Sequence, residues 1–411
     1  MEQTFTSEFF ASNRQRLRQL FTGTSPIVLA ANGLLQQAAD SSYPFCQDAT
    51  FWYFTGCDEP GVILVMDKDK EYVIVPTRDA SRLAFEGAID ETALRRQSGI
   101  DEIVNEQLGW KRLAMRLKKV KHVATLPALA SYIEQLGMYT NPARQRLARN
   151  LKSYNEQLEL LDIGQHVARL RMVKQPVELA AIQQAIDITI ASFKEVLKSS
   201  QRGKYAYEYE VEAELTRSFR RRGAEGHAFA PIVAGGVRAC VLHNQRNDGA
   251  LTADELLLCD IGARYQHYAA DITRTVALGA PTRRQQVVYN AVLDIQVFAR
   301  SLLCPGVVLK IYEQQVEHFA GEKLRELGLI RTIDHDSVRR FLPHAVTHFL
   351  GVNTHDVGLY DRPLESGTVL TVEPGLYIPD EAIGIRIEDD VLITADGNQV
   401  LTEALPRSLT A

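Results

Sequence analysis

Four carboxylates and one histidine constrain this chain more than anything else in it. Asp260, Asp271, His348, Glu373 and Glu388 are all metal-ligand types, and the four acids stand in runs of β-forming residues where a carboxylate is unwelcome. In Glu255-Leu-Leu-Leu-Cys-Asp-Ile-Gly-Ala263 a strand of the fully buried kind runs into Asp260, and Tyr268-Ala-Ala-Asp-Ile-Thr-Arg-Thr-Val-Ala277 carries Asp271. The short polar segment Ala263-Arg-Tyr-Gln-His267 suits an antiparallel hairpin that sets the two Asp side chains side by side. Bare, two such groups repel and one keeps its proton; a divalent cation removes that cost.

The other two acids repeat the pattern. In Gly367-Thr-Val-Leu-Thr-Val-Glu-Pro-Gly375, Glu373 shares a strand face with Val369 and Thr371, while Leu370 and Val372 face the other way. In Gly384-Ile-Arg-Ile-Glu-Asp-Asp-Val-Leu-Ile393, Arg386 and Glu388 share one face and Ile385 and Ile387 the opposite one. The histidines cluster in Pro343-His-Ala-Val-Thr-His-Phe-Leu-Gly-Val-Asn-Thr-His-Asp-Val-Gly358. On a helix His344 and His348 would lie one turn apart; the run ends at Gly351, and His355 sits in a turn beyond it. A pair of histidines at this spacing arises by chance, and a lone Asp in a strand is more often salt-bridged core. The conjunction points to a metal site.

In that order and in those contexts the five residues resemble the ligand set of the pita-bread metallopeptidases: methionine aminopeptidase, prolidase and aminopeptidase P. The phrases Asp271-Ile-Thr-Arg-Thr275, His355-Asp-Val-Gly358, Thr371-Val-Glu-Pro-Gly-Leu-Tyr377 and Ile385-Arg-Ile-Glu-Asp-Asp390 match the prolidase and aminopeptidase P branch. The stretch from Ala39 to Gly56, with Phe51-Trp-Tyr-Phe54, is similar to the amino-terminal domain of bacterial aminopeptidase P, a region that methionine aminopeptidase lacks. One departure is Ala345, where these enzymes usually carry Gly after the first histidine.

The resemblance implies two divalent ions bridged by Asp271 and Glu388, with Asp260 completing one site and His348 and Glu373 the other. Carboxylates and one imidazole suit Mn²⁺, Co²⁺ or Fe²⁺, and thiolate-rich zinc coordination is excluded. The resemblance selects Mn²⁺, with Co²⁺, Fe²⁺ and Zn²⁺ as alternatives. Two ions sharing a water lower its pKa toward neutrality. By the same resemblance Glu373 takes the water's proton and passes it to the leaving nitrogen. Charge building on the carbonyl oxygen needs a donor beside the metal, and His355 is the candidate. His243 is either a core histidine or, by resemblance, a substrate contact near the scissile bond. His344 and Tyr377 take substrate-binding places, as does Arg386, for which a structural salt bridge to Glu388 or Asp390 is the other reading.

The implied activity is release of the first residue from peptides with proline second. Xaa-Pro dipeptidase activity is the alternative, and a non-enzymatic pita-bread binding module is disfavoured by the intact ligand set. The fold expected is an α/β amino-terminal domain, residues 1–170, followed by an α+β pita-bread catalytic domain, residues 171–411. The seam lies at Arg169-Leu-Arg-Met-Val-Lys-Gln-Pro176, where Pro176 starts a helix over Val177 to Leu197. A helix from Thr282 to Pro305-Gly306 and another over Lys310 to Leu327 follow. Before the seam, Pro26–Ala31, Gly61–Met66 and Glu71–Pro76 read as strands.

A net charge of -5 with interspersed signs leaves no nucleic-acid footprint. Five cysteines without paired spacing fit a reducing compartment. The amino terminus lacks signal-peptide regions and no run of about 20 apolar residues could span a membrane. A cytoplasmic enzyme is expected, and the resemblance implies a homo-oligomer, dimer or tetramer.

Overall fold

The structure, a computed structural model, describes residues 5–68, 70–128, 137–198 and 202–410. Residues 1–4, part of the amino-terminal segment discussed above, lie outside these. Two compact units follow each other along the chain, Met1–Leu170 and Arg171–Ala411.

In the first unit the apolar runs form β1 (Ile27–Ala30), β2 (Ile63–Asp67), β3 (Lys70–Val75), β4 (Ile103–Asn105), β5 (His122–Thr125) and β6 (Glu159–Asp162). They make one mixed sheet in the order β4-β3-β2-β1-β5-β6. Helix α1 (Ser7–Leu20) and helix α2 (Ala49–Thr55) supply its aromatic cluster. Asp48 caps α2 by accepting from the N–H groups of Thr50 and Phe51 at 3.0 and 2.9 Å, which satisfies two donors that the first turn leaves over. The helix stops at Gly56 with φ 65°, where a side chain would strike the ring of Phe10 at 2.5 Å. Between cap and stop, Phe51, Trp52, Tyr53 and Phe54 are all buried, and Trp52 meets Phe10 edge to face at 5.5 Å. This is an α/β arrangement.

The second unit opens on α3 (Pro176–Val196), with Pro176 at its first position and Glu178 accepting from the Gln175 N–H at 2.8 Å. Next come α4 (Glu208–Arg221), α5 (Arg283–Ser301) and α6 (Leu309–Glu326). Thr282 and Gln285 close a reciprocal capping box at the start of α5. The strands are β7 (Ile232–Gly235), β8 (Leu256–Ile261), β9 (Ala263–Tyr265), β10 (Tyr268–Ala269), β11 (Ile272–Ala277), β12 (Val369–Val372), β13 (Gly375–Ile378), β14 (Ile383–Arg386), β15 (Asp389–Thr394) and β16 (Gly397–Val400). They pair antiparallel as β7-β8-β11, β12-β15-β16 and β13-β14, and β9 pairs with β10 and with Gly226–His227. Val288, Val292 and Ile295 of α5 and Tyr312 and Val316 of α6 share one buried cluster with Leu370, Val372, Ile385 and Val391 of the strands. Each such side chain contributes about 1.5–3 kcal/mol of burial free energy, so the helices hold the strand scaffold firmly. The unit is α+β.

Two local expectations differ from what forms. Ala263–His267 is not a plain loop: β9 and β10 form their own hairpin, and only Gln266 and His267 turn, both at positive φ (46° and 69°) as a two-residue hairpin turn requires. The segment from His344 to Leu350 is not helical. It runs beside β12, with the Thr371 N–H reaching the His348 carbonyl at 3.0 Å and the Glu373 N–H that of Val346 at 2.9 Å. Pro343 cannot donate into a preceding turn, and the branched Val346 and Thr347 favour extended backbone.

Candidate active site

Asp260 and Asp271 arrive from neighbouring strands, with an offset that the simple hairpin reading misses. Asp260 on β8 faces Thr273 on β11, and Asp271 lies two residues before Thr273, so the acids sit diagonally on one face of the ladder. Gly262 is what allows this: a side chain there would lie 1.7 Å from the carbonyl oxygen of Ala270. Glu373 and Glu388 stand just beyond the ends of β12 and β14, where each chain turns after a buried strand. Thr273 donates to Glu388 Oε2 at 2.7 Å, and the Glu388 N–H returns to the Thr273 carbonyl at 3.1 Å.

His348 is oriented by its backbone. Its N–H donates to Thr371 Oγ1 at 3.1 Å, and Nδ1 lies 3.0 Å from the Phe349 carbonyl. A carbonyl only accepts, so Nδ1 carries the proton and Nε2 presents a lone pair. That lone pair faces Asp271 at 3.4 Å and Glu373 at 3.3 Å. One atom each from Asp271, His348 and Glu388, all buried, lie within 4.8 Å of one another. Glu373 adjoins this group through His348. Asp260 instead turns to Arg386, whose Nη2 donates to its Oδ2 at 2.5 Å.

Arg386 therefore pairs with neither Glu388 nor Asp390. Its remaining donors reach Tyr377 Oη at 2.8 Å and Thr273 Oγ1 at 3.1 Å, and Tyr377 Oη lies 2.9 Å from His344 Nε2. A continuous chain of hydrogen bonds thus joins His344, Tyr377, Arg386 and Asp260. Burial, then Arg386, lowers the pKa of His344 to about 4, and burial raises that of Tyr377 to about 12. His344 is a neutral acceptor for a phenol that keeps its proton. Ala345 is exposed.

His355 lies against His348 with ring centroids 4.1 Å apart. Desolvation within the cleft, followed by His348, pushes its pKa down to about 4, so it is a neutral N–H donor at pH 7. The turn that carries it is locked from behind. Buried Asp356 accepts from Arg171, and Lys174 Nζ lies 3.4 Å away. His243 sits exposed on the loop after β7, and its charge is felt at both His344 and His355.

The electrostatics ask for a cation. Burial, followed by repulsion from neighbouring carboxylates, raises the pKa of Asp271 and Glu388 well above the ordinary value; burial also raises Glu373. Asp260 Oδ1 is buried without a hydrogen-bond partner among the described residues, as is Oδ1 of Asp390. Asp390 belongs to the site although the motif reading gave it no role. It is fully buried, and its Oδ2 accepts the Asp271 N–H at 3.2 Å. The doublet Asp389-Asp390 inside an apolar strand was its signal. Glu313, which receives the Val346 N–H at 3.0 Å, had none, because α6 reads as an ordinary amphipathic helix.

The chain matches Metallopeptidase family M24 over residues 180–395 and the aminopeptidase P N-terminal domain over residues 10–124. It is 32% identical to an Xaa-Pro aminopeptidase of Haemophilus influenzae, the match covering 98% of this chain and 95% of that one. It is 31% identical to the Xaa-Pro aminopeptidase of Escherichia coli, covering 98% and 96%. Among solved structures, one described as a putative aminopeptidase P from Bacillus anthracis superposes with a TM-score of 0.88 at 31% identity, over 98% of this chain and 96% of that one.

Proposed function

Because the chain belongs to metallopeptidase family M24, we propose that it is a metal-dependent aminopeptidase that removes the first residue of peptides with proline second. The observation that carries this reading is the buried trio Asp271, His348 and Glu388, one atom of each within 4.8 Å of the others, with Glu373 against His348 and Asp260 on the strand beside Asp271. The surplus of buried negative charge and the orphaned Asp260 oxygen fit divalent cations. Those five residues would hold two ions, with Mn²⁺ the first choice. When bound, the ions supply Lewis acidity and a nucleophile at neutral pH.

The protein's own residues do the rest. Glu373, beside His348 and within reach of Thr371, is the group placed to accept a proton at a carboxylate oxygen and hand it to the departing nitrogen. His355 offers a neutral N–H at the edge of the cluster to the carbonyl oxygen on which charge develops. His344, braced by Tyr377 and Arg386, and His243 on its loop line the approach to the cleft and orient the peptide. Arg386 also holds one Asp260 oxygen. Chelated protein should be inactive on Xaa-Pro-Yaa peptides and regain activity with added Mn²⁺. Full activity after exhaustive chelation would refute the reading.

A further inference from the structure

His243 lies on a loop whose own interior does little to hold it. Among the described residues its ring makes no hydrogen bond, and the backbone bonds within the turn are short-range: Asn244 N–H to Val241 and Gln245 N–H to His243 itself. The loop is held by Cys240 and Leu242, which pack on the buried cluster of Ile232, Ala234 and Tyr377, and at its two feet, Gly235 and Gly249.

Both feet close on one buried carboxylate. Glu208, the first residue of α4, is fully buried. Its Oε1 accepts the Gly235 N–H at 2.8 Å and the Arg238 Nε–H at 2.6 Å; its Oε2 accepts the Gly249 N–H at 2.9 Å. The Glu208 N–H returns to the Gly249 carbonyl at 3.0 Å, and Arg238 Nη2 reaches the carbonyl of Ala250 at 2.7 Å. The Arg238 side chain packs against Gly249, where a side chain would meet Nε at 2.1 Å and displace it from the clamp. One helical turn further along the same face, Glu212 accepts from Asn247 Nδ2 at 2.8 Å, and Asn247 Oδ1 takes the Val233 N–H at 2.9 Å. On its other side the turn presses on β14, where a side chain at Gly384 would lie 2.5 Å from the Ala239 carbonyl group. The loop is thus fixed between α4 and the strand that carries Arg386.

We propose that Glu208 is a positioning residue for His243, setting the histidine through the neck of its loop. A carboxylate is the one side chain of this size that can accept three donors at once without offering one of its own. The inference rests on the reading of His243 as a substrate contact.

The test is a double-mutant cycle on Mn²⁺-loaded protein with an Xaa-Pro-Yaa peptide. E208Q keeps the shape but sets an NH₂ group against a peptide N–H or the guanidinium. It should lower kcat/KM on the order of 10-fold through misplacement of His243, with metal content as in wild type. Amide exchange should quicken over residues 235–249 and not in the rest of α4. H243A should lower kcat/KM by itself, and E208Q/H243A should be no slower than H243A. R238M, which removes one half-exposed arm of the clamp, should give a smaller loss that also vanishes in the H243A background; it carries the test if E208Q fails to fold. Losses that multiply in the double variants would make Glu208 a support of the fold alone and overturn the proposal. Wild-type kcat/KM in E208Q, with H243A impaired, would overturn the clamp while leaving His243 its role. Wild-type kcat/KM in H243A would overturn the reading of His243 and the clamp with it.

Discussion

Gly262→Ala should disable the enzyme with a single methyl group pressed against the Ala270–Asp271 backbone. The added carbon would lie 1.7 Å from the Ala270 carbonyl oxygen, where ordinary contacts begin at 3.4 Å. Neither side yields easily. The Gly262 carbonyl accepts the Ala228 N–H at 2.8 Å, the Ala263 N–H donates to Thr189 Oγ1 at 2.9 Å, and the Ala270 N–H donates to the Ala263 carbonyl at 3.1 Å. Relief therefore means moving the Ala270–Asp271 backbone away from β8 by more than about 1 Å, a scale at which misplaced groups cost on the order of 10²-fold in rate. Overpacking of this kind costs about 1–3 kcal/mol. In a unit of this size each kcal/mol lowers Tm by roughly 2–4 °C. Kinetics with a proline-second peptide, metal content and calorimetry should show loss of rate and of bound metal beyond what the modest drop in Tm explains. Unchanged kcat/KM and metal content in Gly262→Ala would refute the claim that this close approach sets Asp260 against Asp271.

Three further outcomes follow from the same geometry. In metal-free protein Asp271, Glu373 and Glu388 hold protons above the ordinary carboxylate range, so the folded chain binds protons that the unfolded chain releases. The stability this contributes is full below about pH 4 and is lost as the pH rises through the raised values. Relative to Glu388→Gln, which removes one of these groups, chelated wild-type protein should therefore lose Tm as the pH rises from acid toward neutrality. Mn²⁺ at 100 times its Kd should add about 2.7 kcal/mol and release protons; a Tm unmoved by metal would contradict both. His348→Ala should lose metal as well as rate, whereas His355→Ala should keep its metal and lose kcat on the order of 10²-fold; equal metal loss in the two would reverse the assignment. Asp271→Asn and Glu388→Gln should abolish turnover while circular dichroism stays near wild type, since each amide keeps the volume and removes a ligand charge.

Much of this site was legible because carboxylates in apolar strands are expensive and therefore conspicuous. Asp260, Asp271, Glu373 and Glu388 stood out in conjunction with His348, not singly, and the helix starts at Pro176 and Thr282 followed from local capping chemistry. What stayed hidden is what depends on contacts between distant segments. The spacing of His344 and His348 suits a helix, but pairing with β12 imposes an extended course. Arg386 could be placed on a face with Glu388, yet its partner, Asp260, comes from a strand more than a hundred residues earlier. The clamp on the His243 loop was equally invisible, since Glu208 looks like the acidic first turn of any helix and Glu212 like a charge on its solvated face. Asp356 was read only as a neighbour of His355, and its burial against Arg171 and Lys174 emerges from the fold alone.

The proposed activity is tested most directly by the masses of the products. Mn²⁺-loaded protein is given an Xaa-Pro-Yaa tripeptide, the matching Xaa-Pro dipeptide and an Xaa-Ala-Yaa control, and each digest is read by mass spectrometry with kcat/KM for each. The expected result is release of the free first residue and Pro-Yaa from the tripeptide, faster than cleavage of the dipeptide, with the control left intact. Preference for the dipeptide would make the protein a prolidase, and equal cleavage of the alanine control would contradict proline recognition altogether.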